Sequence, residues 1–189
     1  RWSTYGIDLS NAMLQHATQG EEGIAAAQAN MCQLPFKNTF ALATCFFDSL
    51  NFVTEDGGLS RALSSMHEAL NDIGVLHFDV ITERMVLDHF ADKDWVDTND
   101  GHKTRWSGKY DAETGVVENT IRVGKGLPTV VHERVYPQAE VEAALETAGF
   151  IVLGVMDTET WLKPDEKTLR LDFVATRNTD DIVHLKFES

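Results

Sequence analysis

The stretch 4-TYGIDLSNAML-14 decides the fold that the sequence predicts, because it passes directly from a strand pattern into a helix pattern. Residues 4–9 are apolar in the middle of the segment, as in a short buried strand. Ser10 follows, and its hydroxyl can cap a helix over residues 11–18. Asp8 therefore stands at the end of a predicted strand, immediately before a predicted helix.

The next elements continue the alternation of strand and helix. Residues 24–30 and 40–47 favour strands, and the second of these, FALATCFF, is apolar without alternation, as in parallel strands that are covered on both faces. Residues 55–70 carry apolar side chains at helical spacing, and VLHFDVIT, after Gly74, favours another buried strand. This alternation predicts an α/β fold with an open, mostly parallel sheet and helices on both faces.

The pattern changes at residues 103–137, where polar and apolar residues alternate with period two between the turn signals at 111–115 and 124–128. We expect three antiparallel strands here, inserted into a single domain that spans residues 1–189. After Pro137 the chain predicts an amphipathic helix that ends at Gly149, and two further strands follow it.

Composition restricts the classes of partner. The 189 residues include 16 basic and 30 acidic side chains, a net charge of -14, which would repel nucleic acid and anionic membranes over most of the surface. Neither a signal peptide nor a transmembrane run is recognisable, so the sequence favours a cytoplasmic protein. Cys32 and Cys45 lack the spacing of metal ligands, which indicates reduced, buried thiols and predicts no metal site.

Candidate binding residues lie where the predicted strands end. In an open parallel sheet, ligands bind outside the carboxyl ends of the strands. Asp8 is at the first such end, and a carboxylate there can accept hydrogen bonds from both hydroxyls of an adenosine ribose. The other interpretation of Asp8 is a turn or helix-capping acid. Further residues at strand ends are Asn30, Met31, Cys45, Phe46 and Asp48.

Taken in order, YGIDLSNAML, ANMCQLPF, FALATCFFDSLNFV and LNDIGVLHFDVIT resemble the class I S-adenosylmethionine-dependent methyltransferases. The resemblance implies a Rossmann-like fold and S-adenosylmethionine as the cofactor. By this similarity Asp8 would hold the ribose hydroxyls of the cofactor. Leu9 and Met13 would pack near its adenine, Asn30 would accept a hydrogen bond from the adenine amine, and Met31 would offer its backbone. Cys45 and Phe46 would flank the methionine part.

The same resemblance predicts a strand and a glycine-rich turn upstream of Tyr5 that this sequence does not contain, so we expect an N-terminally incomplete domain. That turn allows close approach of a cofactor to the backbone. Alternatively, a partner chain provides the missing strand, or residues 182–187 pair with residues 5–9.

The resemblance extends to methyltransferases that carry an antiparallel insert, and it implies that the methyl acceptor is an amine or hydroxyl of a small molecule. Asp48, His132, Arg134 and Tyr136 are the candidate substrate-binding residues, and the last three share one face of a strand by period-two geometry. Alternatively, that face is the solvated side of the inserted sheet, where polar residues are usual. The exposed edge of the same sheet predicts a possible homodimer. Alternative functions are a noncatalytic oligomeric or binding domain and a dinucleotide oxidoreductase, since an acid after a strand also suits the ribose of NAD.

Overall fold

The computed structural model describes residues 3–17, 24–99 and 101–178. No helix within these ranges is long and apolar enough to cross a membrane. The helices are α1 (Asn11–Ala17), α2 (Gly58–Ala69), α3 (Glu83–His89) and α4 (Gln138–Ala148). The strands are β1 (Tyr5–Asp8), β2 (Ala25–Gln28), β3 (Phe40–Cys45), β4 (Leu70–Ile81), β5 (Asp94–Asn99), β6 (His102–Asp111), β7 (Val116–Val123), β8 (Thr129–Arg134), β9 (Ile151–Asp157) and β10 (Arg170–Thr176).

The strands of the α/β part form two sheets. β1 and β2 are parallel and make a two-stranded sheet, while the main sheet has the order β3-β4-β10-β9. β3 and β4 are parallel, but β10 runs antiparallel to both of its neighbours, so the prediction of a mostly parallel sheet is wrong for the main sheet, which is mixed. The cause is that β10 turns back beside β9 and enters the sheet between β9 and β4. The hypothetical strand at residues 182–187 lies outside the described residues.

One face of the main sheet carries the hydrophobic core beneath α2 and α4. The rings of Phe78 on β4 and Phe173 on β10 stack there, with centroids 5.1 Å apart. Leu63 of α2 and Leu145 of α4 are fully buried against this face. Burial of each such side chain contributes about 1.5–3 kcal/mol, so this layer fixes the sheet on which the strand ends are placed.

The antiparallel part is a four-stranded sheet in the order β5-β6-β7-β8, which we call the insert sheet. It contains one strand more than the sequence predicts, because β5 pairs antiparallel with β6. The rings of Trp95 and Trp106 stack across this pair, with centroids 5.5 Å apart. Gly108 allows the chain after α3 to lie directly on the sheet, since a Cβ at this position would meet the carbonyl oxygen of Phe90 at 2.1 Å.

Asn51 attaches the insert sheet to the main sheet. Its side chain is fully buried, and its amide nitrogen donates to the backbone oxygen of Arg134 at the end of β8 over 2.8 Å. Its amide oxygen accepts from the backbone nitrogen of Ile81 at the end of β4 over 3.1 Å. A single side chain thus fixes the end of β8 relative to the carboxyl end of β4.

Thr82 begins α3 and connects this helix to the main sheet. Its hydroxyl accepts from the Met85 backbone nitrogen at 3.2 Å and donates to the Thr168 backbone oxygen at 2.8 Å. We expect Thr82→Ala to lower the free energy of unfolding by about 1 kcal/mol, the usual cost of a lost N-cap. Urea unfolding measures this loss as a lower midpoint, with the dependence of the free energy of unfolding on urea concentration unchanged. Thr82→Ser retains the hydroxyl and should stay near the parent protein; equal losses in both variants would contradict the capping role.

Candidate functional site

Asp8 ends β1 in a tight turn that leads into α1. Its Oδ1 accepts a hydrogen bond from the Ser10 backbone nitrogen at 2.7 Å, and the Ser10 hydroxyl accepts from the Met13 backbone nitrogen at 3.4 Å. Ser10 is thus the helix cap that the sequence predicts, and one oxygen of Asp8 serves the turn. Within the described part of the chain, the second carboxylate oxygen has no hydrogen bond or ion pair. A ligand hydroxyl can therefore still reach it.

Apolar side chains and a second polar group surround this acid. Leu9 and Met13 are 67% and 59% exposed. The Leu9 backbone oxygen accepts from the Gln28 side chain at 2.8 Å, which joins the ends of β1 and β2. Asn30, two residues beyond β2, accepts from the Cys32 backbone nitrogen at 2.9 Å through its Oδ1. The ends of β1 and β2 therefore bring an acid, exposed apolar surface and an amide to one edge.

Met31 and Cys45 point toward the core of the α/β part. Both side chains pack against the cluster formed by the main sheet, α2 and α4. Burial, with a smaller contribution from Asp79, raises the pKa of the Cys45 thiol to about 12, so this thiol is neutral at physiological pH. Contacts with a ligand through the Met31 backbone stay a prediction.

The turn after β3 has an unusual backbone. Phe47 and Asp48 both adopt left-handed conformations, with φ of 56° and 52°, and Phe47 is exposed. Consecutive left-handed residues other than glycine store strain that the surrounding structure must hold in place. Phe46, just before them, packs edge-on against His77 with ring centroids 4.6 Å apart.

An ion network holds this strained turn. The Asp48 backbone nitrogen donates to Asp79 Oδ1 at 2.8 Å. Arg170 donates to Asp79 Oδ2 at 2.8 Å and to Asp48 Oδ2 at 3.3 Å. Asp48, predicted to bind substrate, is thus already engaged in fixing the end of β3 to β4 and β10.

Of the three polar residues predicted to share one face here, His132 lies apart from Arg134 and Tyr136. His132 is exposed and lies 3.4 Å from Glu118 Oε2 on the outer face of the insert sheet. Arg134 pairs with Glu140 at 3.4 Å. Tyr136 is buried and its hydroxyl donates to the Val53 backbone oxygen. The structure therefore brings Arg134 and Tyr136 together, with the guanidinium carbon 5.2 Å from the centroid of the tyrosine ring, but not His132. The role of these residues in binding substrate stays a prediction.

Two cavities adjoin the end of β8. One of about 640 Å³ lies between the start of α3, the β6–β7 turn, the start of α4 and residues 164–168. A smaller one of about 250 Å³ lies between α2 and α4. Arg134 and Tyr136 line both cavities, whereas Asp8 and Asn30 line neither.

Comparisons with known proteins show what the chain is similar to. Residues 1–74 match the family model of a methyltransferase domain. A protein of Geobacillus sp. strain WCH70 that bears the name of a methyltransferase is 28% identical over 184 residues, which cover 91% of this chain and 74% of that protein. The crystal structure of an S-adenosylmethionine-dependent methyltransferase from Clostridium acetobutylicum has a TM-score of 0.80 at 22% identity, over 93% of this chain and 75% of that one. The first 74 residues thus match a methyltransferase domain, and the chain shares the fold of an S-adenosylmethionine-dependent methyltransferase.

A further methyltransferase structure shares the fold. The amino pentose methyltransferase of Micromonospora echinaspora, solved with S-adenosylmethionine bound, has a TM-score of 0.68 at 22% identity, over 92% of this chain and 73% of that one. The likeness in fold thus extends through the insert sheet and the last two strands.

Sequence reasoning missed several charged residues of this protein. His77 and Asp172 lie 2.8 Å apart beside the Asp79–Arg170 pair, on the face of the main sheet opposite the core. The signal was the alternation of His77 and Asp79 within the otherwise apolar strand HFDVI. Glu133, which is buried on the inner face of β8, was also missed, because it lies on the opposite face of the strand from His132 and Arg134.

Proposed function

We propose that this protein is a methyltransferase that transfers a methyl group from S-adenosylmethionine to an amine or hydroxyl of a small molecule. The observation that carries the proposal is the free carboxylate oxygen of Asp8 beside exposed Leu9 and Met13, at the end of a parallel strand. The amino pentose methyltransferase with the same fold supports a small-molecule acceptor.

The residues at the ends of β1 and β2 fit the nucleoside part of this cofactor. Asp8 can accept from a ribose hydroxyl, and the exposed side chains of Leu9 and Met13 offer apolar surface for adenine. Asn30 Oδ1 has a second lone pair beyond its bond to Cys32, with which it can accept from the adenine amine. Met31 would offer its backbone.

The end of β3 would receive the methionine part. Phe46 presents a partly exposed ring there, and the neutral thiol of Cys45 lies next to it without competing as a nucleophile. The cofactor, when bound, supplies an activated methyl group on a sulfonium. The protein then has to align the acceptor and exclude water, which is chiefly a matter of positioning.

The test is calorimetric titration with S-adenosylhomocysteine. Asp8→Asn retains Oδ1 as the acceptor for Ser10, so α1 should begin as before, but it removes the charged oxygen. We expect binding by the parent protein and an increase in Kd of about tenfold or more in Asp8→Asn, since a hydrogen bond to a charged group contributes about 1.5–3 kcal/mol.

Asp97→Asn is the matched control, because Asp97 is an exposed acid on β5. Its affinity should equal that of the parent protein. Equal affinity in Asp8→Asn would contradict the ribose assignment. Absence of binding by folded parent protein would favour the noncatalytic domain instead.

A further inference from the structure

Two aromatic rings lie against His77 on the face of the main sheet opposite the core. The Phe46 ring packs edge-on against His77 with centroids 4.6 Å apart, and the Trp161 ring does so with centroids 5.9 Å apart. Phe46 is 37% exposed and Trp161 is 54% exposed, so both keep ring surface that the protein does not cover. We call these three residues the aromatic cluster. No role above uses His77 or Trp161.

The aromatic cluster lies at the edge of the main sheet where the methionine part of the cofactor would bind. Phe46 directly follows β3, which is parallel to β4. Because β10 is antiparallel to both β4 and β9, β9 also runs parallel to β4. The connection after β9, which carries Trp161, therefore leaves the sheet at the same edge. The rings of Tyr5 and Phe40, with centroids 5.7 Å apart, link the small sheet that carries Asp8 to the main sheet.

The backbone around the aromatic cluster is held in a costly conformation. Trp161 has a φ of 59°, and Phe47 and Asp48, which follow Phe46, have φ of 56° and 52°. Left-handed conformations are unfavourable for bulky side chains, and such strain is concentrated at ligand-binding sites. The Trp161 backbone nitrogen donates to the Asp157 backbone oxygen at 2.8 Å, which holds the strained turn in place. An exposed indole adds little to folding, so this arrangement indicates contact with a ligand.

Carboxylates outnumber cations beside the aromatic cluster. His77 shares a hydrogen bond of 2.8 Å with Asp172, which is buried. Asp79 lies directly opposite Asp172 in the pairing of β4 with β10. Arg170 is shared between Asp79 and Asp48. These five residues carry a net negative charge whether or not the imidazole is protonated, which favours a positively charged ligand, because opposite charges attract most strongly where little water screens them.

We propose that Phe46 and Trp161 bind the sulfonium of S-adenosylmethionine through their rings, next to these carboxylates. Aromatic rings attract a cation that lies within about 6 Å of the ring centre. This inference rests on the proposed methyl transfer and adds a means of distinguishing the cofactor before transfer from the cofactor after it. The methyl group bonds to the lone pair of the acceptor, the electrons of the broken bond stay on sulfur, and the positive charge passes to the acceptor. The neutral thioether that remains is then held less tightly, which favours its release.

The test compares sinefungin with S-adenosylhomocysteine by calorimetric titration. Sinefungin carries a charged amino group where S-adenosylmethionine has its sulfonium, whereas the sulfur of S-adenosylhomocysteine is neutral. We expect the parent protein to bind sinefungin about tenfold more tightly, since the contacts of a cation with two rings add to the attraction of the carboxylates. Trp161→Leu keeps an apolar side chain but removes the ring, so it should reduce this preference to about threefold or less.

Two further variants serve as controls. Trp161→Phe retains an aromatic ring and should retain most of the preference for sinefungin. Leu162→Ala alters the exposed neighbour of Trp161 and should leave the preference unchanged. Because both ligands have the same adenosine and amino acid parts, a general loosening of the site would weaken both and would not change the ratio of their affinities. Circular dichroism checks that each variant is folded.

The two proposals fail separately in this design. Binding of S-adenosylhomocysteine without any preference for sinefungin in the parent protein would contradict the role of the aromatic cluster alone. An equal preference in the parent protein and in Trp161→Leu would also contradict it. Asp8→Asn should weaken both ligands while it keeps the preference, because the ribose is the same in both. Failure of the folded parent protein to bind either ligand would contradict the proposed function and, with it, the role of the aromatic cluster.

Discussion

Arg170→Met is expected to lower the free energy of unfolding by about 3–5 kcal/mol, as when one partner of a buried ion pair is removed. Asp79 is buried, and Arg170 donates to its Oδ2 at 2.8 Å. Without the guanidinium, Asp79 keeps a negative charge beside Asp48 in a place with little water. Arg170 also holds the strained turn at Asp48, so the end of β3 should loosen at the same time. Urea unfolding followed by circular dichroism measures the loss.

The double variant Arg170→Met, Asp79→Asn separates charge from packing. It removes the uncompensated carboxylate, so we expect it to recover a substantial part of the stability lost in Arg170→Met. Arg84→Met is the matched control, because Arg84 pairs with Asp88 on the exposed side of α3 and such pairs contribute about 0–1 kcal/mol. A loss in Arg170→Met no larger than that of the control would show that the network does not stabilise the fold.

Asn51→Ala should cost about 2–4 kcal/mol, because two backbone groups lose their partner at once. The Ile81 nitrogen and the Arg134 oxygen would remain without the amide that now joins them, and each unsatisfied buried group costs about 1–3 kcal/mol. The structural consequence is a freer end of β8 against the main sheet. Hydrogen exchange at the amides of β8 would report this loosening.

Asn51→Asp keeps the acceptor for Ile81 but removes the donor to Arg134, so it isolates the attachment of the insert sheet. We expect faster exchange in β8 for both variants. Asn99→Ala, at an exposed position on β5, should change neither stability nor exchange by a comparable amount. Unchanged exchange in β8 of Asn51→Ala would mean that other contacts attach the insert sheet.

Much of the local structure was predictable because its signals are local. Ser10 caps α1, and Gly149 ends α4 with a φ of 93°, since glycine tolerates the left-handed conformation. The mixed main sheet was not predictable in the same way. The direction of β10 depends on its pairing with β4, whose residues are distant in sequence, and an apolar strand pattern does not reveal which neighbour it will meet.

The candidate site was predictable only in part, for a similar reason. Asp8 and Asn30 follow from their positions after short strands, but the ion network joins Arg170 to Asp79 over 91 positions and to Asp48 over 122. On β8 both faces carry polar residues, so period two separates His132 from Glu133 without showing which one is buried. Which of the two side chains is buried depends on the packing of β8 against the turn after β3, and residues distant in sequence make this contact.

The contact between Asp8 and a ribose is tested most directly by a double-mutant cycle that changes one side of the contact at a time. Calorimetry would compare S-adenosylhomocysteine with its 2′-deoxy analogue on the parent protein and on Asp8→Asn. We expect the parent protein to prefer the hydroxylated ligand by about tenfold and Asp8→Asn to show almost no preference, because the preference comes from the contact between the carboxylate and the hydroxyl. The same preference in both proteins, or equal binding of both ligands by the parent protein, would contradict it.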